Sequence, residues 1–386
     1  MARFISQFLN QTAIYYGPGS SQFVGREAAK LRITRALIVT DPGVHKAGAL
    51  NAAEASLNDS KIKYQIFDQV QEDADVNVVH KIACFIRESG CNGVVVVGGG
   101  SPICAAKGAA VESTNEVEDV RAFEGSNKYK EPPLPVICIP TTAGSGSDLS
   151  DGFPIVDYER RRHFGIRGDN IAPPVSILDP LLLNTCPKNP MIFAGIDALS
   201  HALDSLWSTG STPLTDALAY EAIYLIINNL VEATLSDNVA AKTNQHLGST
   251  LAMLACGGSG LAIIHAFAGV VFSAKGPHGY KCGLVLPLAL EFNLPLCEVK
   301  FARMATMLGE MPANKTNRDL AILFVDRVKQ LLCDLDFPGK LDEDNSTKPH
   351  IPDIIKEIRE NKPPFADSNI RRLTDRDLAK ICEAIF

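Results

Sequence analysis

Four residues in the middle of the chain are of types that hold a divalent metal: Asp197 and His201 in GIDALSHALDS, then His265 and His278 in LAIIHAFAGVVFSAKGPHGY. Asp197 and His201 stand four apart in an apolar stretch of helical character, which should aim both side chains from one face, roughly 6 Å apart at Cβ. Asn189 and Pro190 supply the start of that helix, as cap and first helical position. His265 falls in a second apolar helical stretch, and His278 in a Lys-Gly-Pro-His-Gly turn able to swing back toward it. Three imidazoles and a carboxylate suit a first-row ion such as Fe(II) or Zn(II). A single His on an apolar helix is more often a satisfied core residue, and Asp197 alone could cap a turn. The joint placement argues for the metal, because the chain has only eight His in 386 residues and three of these lie in uncharged surroundings, where an unpaired polar group is costly.

The elements that must position these residues change character along the chain. ALIVTD (36–41), YQIFDQV (64–70), GVVVVGGG (93–100), LPVICIP (134–140) and VSILDP (175–180) are apolar strand-like runs separated by amphipathic stretches such as VVHKIACFIRESG. Continuous Val and Ile strands alternating with helices imply a parallel sheet covered on both faces. From Pro190 onward long helical stretches replace the strands. The expectation is a Rossmann-like α/β domain over 1–185 and an all-helical domain over 186–386. The polar, Pro-bearing segments 342–349 and 361–367 read as loops.

In GVVVVGGGSP a buried strand ends in Gly98, Gly99, Gly100 and Ser101 and runs into a helix. Glycines there admit a close ligand, and the helix N-terminus offers free N–H groups to a pyrophosphate. Gly-rich turns also occur without ligands, and this one is not the G-x-G-x-x-G fingerprint. After the next strand comes a loop of hydroxyls and backbone donors that includes Thr141, Thr142 and Ser150, at a strand end where open α/β sheets bind ligands. Asp41 closes ALIVTD, where a carboxylate can accept from a ribose diol and repel a 2′-phosphate, favouring NAD over NADP; Asp-Pro-Gly is equally good turn chemistry.

Composition narrows the function classes. The net charge of −7 argues against a nucleic-acid or anionic-membrane footprint. The basic run Arg160–Arg162 reads as a solvated hairpin tip, with an anionic substrate group as the lesser reading. Ten Cys without a C-x-x-C pair read as thiols of a reducing cytosol. The stretch 251–274 has the length of a membrane span, but Gly257, Gly258 and Gly260 divide it into two shorter helices of a soluble core.

The order GGGSP, PTTAGSGSD, GIDALSHALDS, a helical His, then GPHG, spread over nearly the whole chain, resembles the iron-containing (group III) alcohol dehydrogenase family. The resemblance implies an N-terminal dinucleotide-binding domain and a C-terminal helical domain, with nucleotide and metal in the cleft between them. It implies that Asp197, His201, His265 and His278 are the metal ligands. By the same likeness Gly98, Gly99, Gly100 and Ser101 embrace the pyrophosphate, Thr141, Thr142 and Ser150 line the nucleotide site, and Asp41 meets the adenosine ribose. Cys104, Asp148 and His163 depart from the residues common in the family, and Gly269 stands where many members carry a further His near the nicotinamide. The proton-handling role of that His is therefore open here.

The activity so implied is NAD(H)-linked alcohol oxidation and carbonyl reduction, with Fe(II) preferred and Zn(II) as the alternative, because Fe(II) leaves coordination room for substrate. The expected partner is a small alcohol or aldehyde, with no nucleic acid or membrane, in a cytoplasmic homodimer or higher homo-oligomer. Rival readings are a non-redox enzyme of the dehydroquinate-synthase branch, a hydroxyacid or phosphonate-type carbonyl reductase of the same family, and a binding protein that lost its activity.

Overall fold

Every strand expected from the apolar runs is present in the computed structural model, which describes residues 7–270, 276–338, 350–361 and 363–385. Six strands form one parallel sheet: β1 (Ala13–Tyr16), β2 (Arg35–Val39), β3 (Lys63–Phe67), β4 (Gly93–Gly98), β6 (Val136–Pro140) and β9 (Val175–Leu178), in the order β1-β9-β6-β4-β2-β3. A smaller sheet holds β5 (Gly125–Ser126), β8 (Arg162–Arg167) and β7 (Gly152–Asp157). The β7–β8 hairpin was not evident in the sequence, although its tip was: Tyr158, Glu159 and Arg160 are exposed, and Arg121 pairs with Asp157 at 2.7 Å.

The unbroken apolar strands follow from burial on both faces. Leu37, Val39, Val94, Val96 and Cys138 pack into one cluster, while Ile38, Val95, Val97, Ile137 and Ile139 pack into the other. Each such side chain contributes roughly 1.5–3 kcal/mol relative to exposure. The strand order reverses between β2 and β4, and at such a switch point parallel sheets leave a crevice at the strand C-termini.

The chain divides into two compact units. One comprises Asn10–Met191 with Asp237–His246 and contains both sheets; the other comprises Met1–Leu9, Ile192–Ser236 and Leu247–Phe386 and is helical. The division falls inside the helix Lys188–Trp207, six residues beyond the boundary expected at 185/186, and the start of the helix Val239–Ser259 belongs with the α/β unit.

In the helical unit Trp207, Phe301 and Phe324 are fully buried. The segment 251–270 is indeed two helices, the end of Val239–Ser259 and the short Ile263–Ala268; residues 271–274 lie outside the described residues, as do 342–349. The other segment read as a loop is instead partly helical, at Pro363–Asp367. The helix His278–Met307 is long and apolar enough by composition to cross a membrane. Its apolar residues Leu286, Leu290 and Phe301 are buried in the core of this unit, which accounts for that hydropathy. All ten cysteines are free thiols.

His246 provides a pH handle on the α/β unit. It is 2% exposed, and burial pushes its imidazole down to about 4, against the pull of Asp179. Between pH about 4 and 6.5 the unfolded chain binds this proton and the folded chain does not, so stability falls as pH drops through that window. The part of this effect that falls between pH 7 and pH 4.5 corresponds to about 2–3 kcal/mol. Urea denaturation at pH 7 and pH 4.5 should show His246→Gln losing less stability than the parent by that amount; equal losses would contradict it.

Candidate functional site

A buried carboxylate organises the candidate metal site before any ion is considered. Asp204, fully buried, accepts at Oδ2 from the backbone N–H of Ala262 (2.9 Å) and of His265 (3.2 Å), and at Oδ1 from Ile264 N–H (3.2 Å) and Trp207 Nε1–H (2.8 Å). It also pairs with His265 Nδ1 at 2.8 Å. These contacts cap the helix Ile263–Ala268 and fix the orientation of the His265 ring: Nδ1 carries a proton toward Asp204, so Nε2 is the nitrogen left for a metal.

That nitrogen faces Asp197. His265 Nε2 is buried without a well-formed hydrogen bond, and Asp197 Oδ1 lies 3.4 Å away. His278 Nε2 is 3.5 Å and His201 Nε2 3.9 Å from the same oxygen. The rings of His201 and His265 stack at 4.5 Å, and those of His265 and His278 approach to 5.5 Å. Two donors bonded to one first-row ion at about 2.0–2.3 Å are separated by roughly 2.9–3.8 Å, so the spacings of His265 and His278 from Asp197 Oδ1 fit a single cation, with His201 at 3.9 Å just beyond that range. Asp197, His201 and His265 are each no more than 5% exposed, whereas the His278 side chain is 46% exposed. Burial pushes the Asp197 carboxyl up, but the imidazoles of His201, His278 and His265 outweigh this and hold it well below the usual carboxylate range. Burial opposes charge on His265, yet Asp197 and Asp204 raise it to about 9. In a metal-free protein the site thus stores positive charge on imidazole, which a divalent ion would replace.

Local sequence explains how the four come together. Asp197, His201 and Asp204 occupy one face of the helix Lys188–Trp207 at i, i+4 and i+7; this helix starts at Lys188, so Asn189 and Pro190 lie within its first turn and are not its cap. His278 is not in a turn, as expected from GPHG, but is the first residue of His278–Met307. A Cβ at Gly279 would overlap the carbonyl of Phe193, one turn before Asp197, so glycine allows the two helices to touch and delivers His278 to the site. Cys282, one turn after His278 and fully buried, places Sγ 3.5 Å from Asp197 Oδ1. In the sequence it reads only as one of ten scattered thiols. Gly269 ends the helix Ile263–Ala268 with ordinary right-handed backbone (φ −75°), so its conformation does not require glycine.

The expected nucleotide residues gather on the other unit. Asp41 follows β2, Gly98 ends β4 with Gly99, Gly100 and Ser101 after it, and Thr141–Thr142 follow β6, and these three strands are neighbours. Thr141 N–H donates to the Gly98 carbonyl at 3.1 Å, and a side chain at Gly100 would crowd Ser145 at 3.1 Å, so the two loops are in close contact. Gly99 precedes the helix Gly100–Thr114 with no side-chain cap on its N–H groups. Ser101 Oγ accepts from Asp73 N–H at 3.1 Å. Asp41 acts as a turn residue at one oxygen, where Oδ1 caps the helix Pro42–Lys46 by accepting from Val44 N–H at 2.9 Å.

Ser150 is tied to a residue absent from the sequence reading. Lys107, 2% exposed, donates to Ser150 Oγ (3.0 Å) and to the carbonyls of Ser147 (3.0 Å), Ser150 (2.8 Å) and Gly152 (3.1 Å). A buried ammonium thereby fixes the loop over 147–152, with Ser150 as part of its coordination. The aromatic residues Trp207, Phe153 and Phe267 are all core residues, at most 5% exposed.

The family model for iron-containing alcohol dehydrogenase matches residues 11–180, and the C-terminal model of the Fe-containing alcohol dehydrogenase family matches 191–386. The chain is 31% identical to a 1,3-propanediol dehydrogenase of Klebsiella pneumoniae over 96% of either chain. It is 30% identical to an NAD-dependent methanol dehydrogenase of Bacillus methanolicus, covering 79% of this chain and 81% of the relative. A crystal structure of a 1,3-propanediol oxidoreductase superposes with a TM-score of 0.92 at 29% identity, covering 99% of this chain and 100% of the other.

Proposed function

Because this chain belongs to the iron-containing alcohol dehydrogenase family, we propose that Asp197, His201, His265 and His278 hold one divalent ion, Fe(II) before Zn(II), in an enzyme that interconverts an alcohol and its carbonyl with NAD(H). The observation that carries the assignment is the convergence of three imidazoles within 3.9 Å of one buried carboxylate oxygen. When bound, the ion supplies Lewis acidity toward the alcohol or carbonyl oxygen, and the nicotinamide exchanges the hydride.

The chain's own residues do the rest. Asp204 holds His265 in the donor tautomer, and Asp197 provides the negative charge that offsets the cation. Ile263, Ile264, Phe267 and Ala268, all buried, keep water from the back of His265. The N–H groups at the start of Gly100–Thr114 receive the pyrophosphate, with Gly98, Gly99, Gly100 and Ser101 permitting its approach and Thr141, Thr142 and Ser150 shaping the facing loop. Asp41 keeps a carboxylate at the end of β2, which favours a ribose diol and disfavours a 2′-phosphate, hence NAD over NADP. The apolar neighbourhood of His265 disfavours the dehydroquinate-synthase alternative, whose phosphorylated sugar acid would need Lys and Arg around it. The free thiols support a cytoplasmic location, and a homodimer is the commonest assembly for such a chain.

The test is an NADH-linked screen over small alcohols and aldehydes, before and after removal of metal by a chelator. Turnover should fall more than about 100-fold on chelation and return with Fe(II), consistent with several kcal/mol of Lewis-acid stabilisation. Turnover indifferent to chelation would refute the metal assignment, and preference for NADPH would refute the role given to Asp41.

A further inference from the structure

We propose that Cys282 is a further donor to the cation, its sulfur completing a set with Asp197, His201, His265 and His278. The inference rests on the metal reading above and extends it to a residue outside the Asp-His set. One donor atom from each of Asp197, His265, His278 and Cys282 lies within 4.8 Å of all the others. Cys282 Sγ stands 3.5 Å from Asp197 Oδ1, matching the 3.4 Å and 3.5 Å separations of His265 Nε2 and His278 Nε2 from that oxygen. A metal–sulfur bond of about 2.3 Å beside nitrogen and oxygen bonds of about 2.0–2.2 Å produces edges of this length.

Two independent features point the same way. Cys282 and His278 are one turn apart on the helix His278–Met307, so the contact of Gly279 with the carbonyl of Phe193 that delivers His278 also delivers the sulfur. His265 Nε2, buried and without a well-formed hydrogen bond, faces the same small volume. Without an ion the thiol donates to Asp197 Oδ1. Binding forms a metal–sulfur bond and releases the S–H proton to solvent. A sulfur donor raises the standing of thiophilic ions such as Zn(II) and Co(II) relative to Fe(II), compared with a set of nitrogen and oxygen alone. Five protein donors still leave a six-coordinate ion one open position.

The experiment uses the full chain, stripped of metal by a chelator and reloaded with Co(II), which reports its ligands optically. Metal stoichiometry, the near-ultraviolet sulfur-to-Co(II) charge-transfer band and X-ray absorption at the cobalt edge are read on the parent, Cys282→Ser and Cys282→Ala. The expected result is Co(II) bound to the parent with a charge-transfer band and a sulfur neighbour at about 2.3 Å. Both signals should vanish in either variant, with Co(II) affinity weakened on the order of ten-fold or more. The absorption-edge measurement on the parent stands even if neither variant folds. Co(II) bound with nitrogen and oxygen neighbours alone would overturn the sulfur donor and leave the Asp-His site intact. A sulfur signal that persists in the variants would assign it to another cysteine and equally overturn the proposal. A parent that takes up no Co(II) would overturn the metal reading itself.

Discussion

Replacing His265 with alanine is expected to remove the metal and the turnover together while leaving the fold in place. His265 Nε2 faces Asp197, and no other described nitrogen of the helix Ile263–Ala268 can take over, since that segment is otherwise apolar. Even partners one bond removed from a ligand change metal affinity about 10–100-fold, so loss of the ligand itself should exceed 100-fold. Turnover should fall by about 1,000-fold or more, equivalent to ~4 kcal/mol of transition-state stabilisation. The folding cost is smaller, because Asp204 keeps its contacts with Ala262, Ile264, Trp207 and the His265 backbone. Elemental analysis, an NADH-linked assay and circular dichroism on one preparation check all three statements. Unchanged metal content in His265→Ala would count against the site.

Asp204→Asn carries the largest expected effect on stability. Five hydrogen bonds end on this fully buried carboxylate, and an amide can accept at its single oxygen while its NH2 turns toward donors. Donors stranded in the interior by loss of a buried, charged partner cost about 3–5 kcal/mol. Against a total stability of about 5–15 kcal/mol that is a large fraction. The same substitution releases the His265 ring from its tautomer, so metal affinity should drop about 10–100-fold even in folded protein. Urea denaturation of the metal-free chain isolates the first effect, and metal titration of the folded fraction the second. A variant within about 1 kcal/mol of the parent and with equal affinity would show that Asp204 is not what positions His265.

The difference between these residues also marks what a sequence can disclose. Asp197 and His201 were legible because a four-residue interval on an apolar helix has a fixed geometric meaning. Asp204 shares their face, three residues beyond His201, but an aspartate at the end of a helical run has too many ordinary uses for its type to stand out. His265 and His278 could be matched to that pair only by residue type, because nothing local fixes a separation across the chain; their meeting depends on Gly279 admitting Phe193. Cys282 and Lys107 were hidden in apolar runs that read as plain core, and their polar atoms acquire meaning only once their acceptors are placed.

The fold was similarly uneven. Strands buried on both faces, such as β4 with Val94–Val97, advertise themselves as continuous apolar runs. β1 is a four-residue edge strand with exposed ends, and β7 carries Pro154, a residue strands admit at an edge; neither has a strong pattern.

The most direct test of the shared cation is a crystal of the metal-loaded protein, with diffraction recorded on both sides of the metal's absorption edge. One anomalous peak is predicted within about 2.0–2.3 Å of a carboxylate oxygen of Asp197 and of ring nitrogens of His201, His265 and His278. A loaded crystal whose anomalous peak lies away from Asp197, or touches none of the three imidazoles, would contradict it.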